Sequence, residues 1–184
     1  MIRMSLQNGK LVDLEDLQYD DIDLKEIAHS LALQCRFNGH CKTFYSVAEH
    51  SVRMSKLNLS FDCRAFLMHD AAEAFIGDVP TELKGRKTNL RDLEFKILNT
   101  ISKVFDIPFE SLTSWQIKVG DRIMLSREVR SLFPKMSESG KKVWLDYGVL
   151  YDEPLLEKII PWSWEKAEKE FLKRADELNI QRYF

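Results

Sequence analysis

What the chain has little of narrows the possibilities first. Its 184 residues include three cysteines, Cys35, Cys41 and Cys63, and no two of them form a Cys-x-x-Cys pair. So sparse and odd a set supports neither a disulfide framework nor a thiolate zinc site. Reduced thiols in a cytoplasmic protein are expected. No apolar run approaches the roughly 18 residues of a membrane span, and the N-terminus lacks the shape of a signal peptide. No membrane partner is therefore expected. Charge of one sign is missing too: 27 Lys+Arg against 29 Asp+Glu leave a formal net charge of −2. That excludes a general basic field for polymeric nucleic acid, so an anionic substrate must be met by locally placed Lys and Arg. Internal repeats and low-complexity segments are absent. A chain of this length buries a substantial core without staples, and one domain over 1–184 is expected.

The elements that are present read as helices. Residues 1–12 alternate weakly around Asn8-Gly9, a favoured two-residue turn, and predict a small β-hairpin. Asp23 and Glu26 form a capping-box pattern ahead of Leu24, Ile27, Ala28 and Leu31, which predicts a helix over about 24–34. His29 on that helix reads as structural. Ser46 and Glu49 repeat the box and open a helix to about Leu57 that carries His50 in its first turn. A partner helix is expected from about Asp62 to Phe75, followed by a short turn over Thr81–Gly85. Leu90, Leu93, Ile97, Ile101 and Val104 mark an amphipathic helix over 90–105, ended by Asp106-Ile107-Pro108. Thr113 and Gln116 give a third box pattern, starting a helix to about Leu132. Residues 134–162, with Pro134, Pro154 and Pro161, predict an irregular connection. Ser163 caps a last helix over 163–178, with Trp164, Ala167, Phe171 and Ala175 as its docking stripe. The fold class is all-α with a small N-terminal hairpin.

The chemistry concentrates in Met68-His69-Asp70-Ala71-Ala72-Glu73, with Gly77, Asp78 and Pro80 just beyond. Adjacent His69 and Asp70 offer one nitrogen and one oxygen ligand, and Glu73 projects from the same helical face one turn on. In chain order the candidate ligands are His50, His69, Asp70 and Asp121. Two imidazoles and two carboxylates suit a borderline divalent ion such as Mn, Fe, Co, Ni or Zn.

This order resembles the signature of the HD-domain phosphohydrolases, whose four ligands lie on a helical bundle. The local stretches Tyr45-Ser46-Val47-Ala48-Glu49-His50 and His69-Asp70-Ala71-Ala72-Glu73, followed by Gly77-Asp78-Val79-Pro80-Thr81-Glu82-Leu83-Lys84, are similar to YfbR-type 5′-deoxynucleotidases. The loop from Cys35-Arg36-Phe37 through Gly39-His40 to Phe44-Tyr45 resembles the phage branch of dATP triphosphohydrolases, DatZ-like enzymes of phages that carry 2-aminoadenine. The likeness spans roughly residues 1–130.

The resemblance implies a metal-dependent hydrolase of deoxynucleotides, most specifically one that turns dATP into deoxyadenosine and triphosphate by metal-hydroxide attack at the α-phosphorus. A 5′-deoxynucleotidase acting on dNMPs is the alternative, and a non-catalytic nucleotide-binding regulator a lesser one. It also implies that Arg36 binds phosphate, that Glu73 handles the proton of the departing 5′-oxygen, and that Asp78 supports the site. A second ion near Glu73 and Asp78 fits the same pattern, Mg joins the candidate metals, and a homo-oligomer (dimer or hexamer) is expected. Arg36 offers a bidentate fork. Lys84 and Lys118 would face the same cleft, and Lys42 and His40 could meet a β- or γ-phosphate. The alternative for each lysine is a solvated surface charge.

Overall fold

The computed structural model describes residues 1–57, 60–84, 89–133, 135–148 and 158–183. Two short strands, β1 (Arg3–Ser5) and β2 (Leu11–Asp13), pair antiparallel with Met4 opposite Val12. The helices that follow are α1 (Leu24–Leu33), α2 (Val47–Ser55), α3 (Cys63–Met68), α4 (Glu73–Ile76), α5 (Thr81–Lys84), α6 (Leu90–Val104), α7 (Phe109–Leu112), α8 (Trp115–Leu132), α9 (Glu138–Asp146) and α10 (Trp164–Glu177). The protein is thus mostly helical with a small N-terminal sheet. Among the described residues no helix is long and apolar enough to cross a membrane.

Helix α2 is the centre. Val47, Ala48, Glu49, His50, Ser51, Val52, Met54 and Ser55 are all buried, as expected of a helix with neighbours on every side. Those neighbours are α1, α3, α8 and α10. Its buried polar groups therefore need partners. Glu49 accepts from Arg53 Nε at 2.8 Å and from the Trp162 backbone N–H at 2.7 Å, and Ser55 Oγ accepts from Arg174 Nε at 3.1 Å. Both Trp162 and Arg174 belong to the C-terminal segment, so α10 is fastened across the back of α2. Ala167, Phe171 and Ala175 form its buried stripe as predicted. Trp164 stays on the edge, with its ring against His29 at 5.9 Å. His29 Nδ1 in turn lies 3.1 Å from Glu168, so this histidine joins α1 to α10, in keeping with its structural reading.

Helix α8 reaches the core through Gly120. A Cβ there would lie 2.8 Å from Met54 Cε of α2 and 2.9 Å from Phe66 Cζ of α3. The missing side chain lets α8 close on both helices one residue before Asp121.

Several local expectations are corrected. The hairpin turn is a three-residue loop: Gly9 N–H donates to Leu6 O, Leu6 N–H donates to Lys10 O, and Gly9 has φ +84°. Gly9 thus supplies the left-handed residue of a bulged turn. Two of the three expected capping boxes are single caps, and the third is not made: Thr113 Oγ1 donates to Phe109 O instead. Asp23 and Ser46 do accept from the backbone of α1 and α2. Glu26 instead accepts from Gln7 N–H, Glu49 is taken by Arg53 and Trp162, and Ser114 at the start of α8 makes no side-chain cap. The turn after Pro80 is the one-turn helix α5; its expected last residue, Gly85, lies outside the described residues. The 134–162 connection contains α9, capped by Ser137; Pro134 and Pro154 lie outside the described residues.

The most consequential correction concerns 62–75, which is two helices. Ala71 N–H donates to Met68 O and Glu73 N–H to Asp70 O, three residues back each time. The tighter i→i+3 winding separates α3 from α4 at the His69-Asp70 pair.

Candidate metal centre

Each functional side chain is delivered by a different local device. Ser46 caps α2 and sets His50 one turn in. The tightened turn after Met68 presents His69 and Asp70, and the close approach at Gly120 brings Asp121 over them. One ligand atom each from His50, His69 and Asp121 lies within 4.8 Å of the other two, close enough to hold one metal ion. Asp70 flanks that group: its Oδ2 is 3.0 Å from His69 Nε2 and 3.8 Å from His50 Nε2. Asp121 Oδ1 is 3.4 Å from His50 Nε2.

The protonation of the two rings follows from their outer partners. His69 Nδ1 lies 2.9 Å from the Phe66 carbonyl, which can only accept, so Nδ1 carries the hydrogen. His50 Nδ1 lies 2.6 Å from Glu128 Oε1, and Arg36 with the other donors around Glu128 holds it ionised, as an acceptor. Both Nε2 atoms are buried and have no hydrogen-bond partner among the described residues. Two buried imidazole nitrogens without a well-directed hydrogen bond, that of His69 only 3.0 Å from the Asp70 carboxylate, call for an explanation. Here they converge with two carboxylates, which is the donor set of a divalent-metal site with its histidines oriented from behind. The residues fit a metal ion.

Glu128 is the functional residue that sequence reading missed. It is fully buried on α8 and accepts from His50, from Tyr45 OH at 2.9 Å and from Arg36 Nη2 at 3.3 Å. Burial works against its charge, yet Arg36, His50 and the Tyr45 hydroxyl pull its pKa down to about 2. The available signal was spacing: Glu128 lies seven residues, about two turns, after Asp121 and so shares its face.

Arg36 is brought into the site as expected. Its guanidinium lies 3.7 Å from Asp70, 3.8 Å from Asp121 and 3.3 Å from Glu128. Burial opposes its charge, but these carboxylates hold its pKa above the ordinary arginine value. The loop that carries it is pinned at both ends. Cys35 bridges Ser46, Arg36 N–H donates to Tyr45 O, and Lys42 N–H donates to Leu132 O at the end of α8. Phe37 and Asn38 take left-handed backbone angles (φ 58° and 51°), a departure that non-glycine residues make at a cost.

Glu73 and Asp78 lie beside this cluster. Burial first, then Asp70 and Asp78, push the Glu73 pKa well above the usual carboxylate range. Its Oε1 faces Lys84 Nζ at 3.1 Å, while its Oε2 is buried with no hydrogen-bond partner among the described residues. Asp78 is half-buried, and that burial raises its pKa too, opposed by Arg36. Lys84 is buried between Glu73 and Glu94, the latter at 2.5 Å. As placed, it is hydrogen-bonded to both side chains rather than standing open for a phosphate. His40, Lys42 and Lys118 are exposed, and among the described residues none of the three pairs with a carboxylate. Lys118 precedes Asp121 by one turn; His40 and Lys42 lie on the Arg36 loop.

No family model matches the chain. It is similar to an uncharacterized protein of Rhodobacter capsulatus, 40% identical over 86 residues, which is 42% of this chain and 44% of that protein's length. It is also 38% identical over 125 residues to the uncharacterized protein YfdR of Escherichia coli (strain K12), covering 68% of this chain and 69% of YfdR. On that identity and coverage, the chain belongs to the family of YfdR.

Proposed function

We propose that the chain is a metal-dependent phosphohydrolase of the HD type acting on deoxynucleotides, with dATP hydrolysis to deoxyadenosine and triphosphate as its reaction. The observation that carries the reading is the convergence of the buried Nε2 atoms of His50 and His69 with Asp121 and Asp70 beneath the Arg36 guanidinium. His50, His69, Asp70 and Asp121 would hold the ion. A divalent metal there supplies Lewis acidity, polarising a phosphoryl oxygen and lowering the pKa of water.

The rest falls to the chain's own side chains. Arg36, kept cationic by its carboxylate neighbours, meets the non-bridging phosphate oxygens with a planar fork. Hydrolysis adds a water oxygen to the α-phosphorus and breaks its bond to the 5′-oxygen, which must gain a proton. Glu73, whose pKa burial and nearby acids raise, is the carboxylic acid suited to give it. Lys84 keeps Glu73 in place through its second contact with Glu94.

One observation favours the second reading, a 5′-deoxynucleotidase: Lys84 is committed to two carboxylates, which leaves fewer built-in cations for β- and γ-phosphates. The deciding experiment strips the protein of metal and reloads it in turn with Co, Mn, Zn and Mg. Each dNTP and dNMP is then offered and the products are separated by chromatography. Deoxyadenosine with intact triphosphate from dATP supports the first reading. Phosphate from dNMPs with dNTPs untouched supports the second. Tight nucleotide binding with no turnover on any metal sinks both and leaves a regulator.

A further inference from the structure

We infer that Glu128 is the positioning residue of this site: the carboxylate that aims the His50 lone pair at the point shared with His69 and Asp121. The inference rests on the metal-centre reading above. Glu128 is fully buried, so no bulk water competes for its oxygens. Three donors, all from residues 36–50, converge on it. Oε1 takes His50 Nδ1 at 2.6 Å and Tyr45 OH at 2.9 Å, and Oε2 takes Arg36 Nη2 at 3.3 Å.

The arrangement is over-determined on one side and singular on the other. The carboxylate has the Tyr45 and Arg36 donors to fix its position apart from His50. His50, in contrast, has no other hydrogen-bond partner for either ring nitrogen among the described residues. An imidazole with one outer partner takes its tautomer and its ring rotation from that partner. Glu128 therefore decides which nitrogen keeps the hydrogen and where the other points. Tyr45 and Arg36 both lie on the stretch just before α2. The loop that brings the arginine into the site thus also steadies the residue that orients the histidine.

The test reads the tautomer directly. Metal-free protein labelled with ¹⁵N-histidine is examined by NMR above the titration of its imidazoles. A neutral His50 with the hydrogen on Nδ1 is expected; a hydrogen on Nε2 in the unmodified protein overturns the inference without any variant. Glu128→Met removes the acceptor and should shift His50 toward the Nε2–H form. Its affinity for Co²⁺, followed by visible absorption, should fall about 10- to 100-fold, the usual cost of losing an outer partner. Glu128→Gln keeps an acceptor oxygen, so it should restore the Nδ1–H tautomer and most of the Co²⁺ affinity. A folded Glu128→Met protein with unchanged tautomer and unchanged Co²⁺ affinity overturns the inference. If Glu128→Met does not fold, the unmodified spectrum and Glu128→Gln carry the test. An Nδ1–H tautomer in a protein that binds no Co²⁺ would uphold the positioning role and overturn the metal reading instead.

Discussion

The two histidines of the site are held by opposite strategies. His69 hands its Nδ1 hydrogen to the Phe66 carbonyl, three residues back in its own helix. His50 hands its own to a side chain 78 residues away on α8. The first anchor is main chain and survives any substitution that leaves the turn wound. The second is one carboxylate that depends on α8 docking against α2. The α3–α4 half of the site is thus set by local winding, and the α2–α8 half by tertiary packing.

The largest effects should ignore this difference. His50→Ala and His69→Ala each remove a proposed ligand, and each should cost more Co²⁺ affinity than the ~100-fold upper range for an outer partner. A variant of either kind that binds Co²⁺ normally would remove that residue from the ligand set. The contrast appears one step out. Glu128→Ala strips a buried carboxylate from Arg36, His50 and Tyr45, and urea unfolding should register a loss of about 3–5 kcal/mol. Phe66→Leu alters packing but leaves its carbonyl in place. It should cost about 1 kcal/mol and largely spare Co²⁺ binding; a collapse of metal affinity in Phe66→Leu would show that ring packing, at the His69 turn or at the α8 contact beside Gly120, outweighs the main-chain anchor.

Gly120→Ala probes the docking of α8. Alanine gains about 1 kcal/mol in helix propensity. Against this, its Cβ meets Met54 Cε at 2.8 Å and Phe66 Cζ at 2.9 Å in a filled core, and overpacking costs about 1–3 kcal/mol. A net destabilisation of about 1 kcal/mol is expected, with Co²⁺ affinity reduced because Asp121 follows directly. Unchanged stability and affinity would mean that α8 tolerates a wider spacing.

The smallest effect concerns the Arg36 loop. Burial, with Cys35 3.8 Å away, pushes the Cys41 thiol up to about 11. Cys41 is therefore almost wholly protonated near neutral pH, and its alkylation should be slow there and accelerate until the pH passes about 11. Rapid labelling at pH 7 would show the loop to be looser than its pinned ends imply.

The same division decides what the sequence could reveal. Helix starts at Asp23, Ser46 and Ser163 were legible because a cap is a local event. The gathering of His50, His69 and Asp121 followed from residue types and order. The break between α3 and α4 was not legible: Ala71-Ala72-Glu73 are good helix formers, and nothing in them signals tighter winding. Helix α9 lay hidden in a stretch judged by its prolines, though Ser137 caps it. Glu128 escaped because a carboxylate on a long helix reads as solvated until tertiary packing supplies three donors for it. The double engagement of Lys84 is of the same kind, since Glu94 comes from α6.

Every side chain of the centre, from Arg36 to Glu128, precedes the segment that fastens onto the back of α2 through the Trp162–Glu49 and Arg174–Ser55 bonds. On the ribosome, the full complement of nitrogen and oxygen donors emerges before α10 can close over α2. On the proposed metal reading, an ion bound at that stage would meet α10 as a preassembled template.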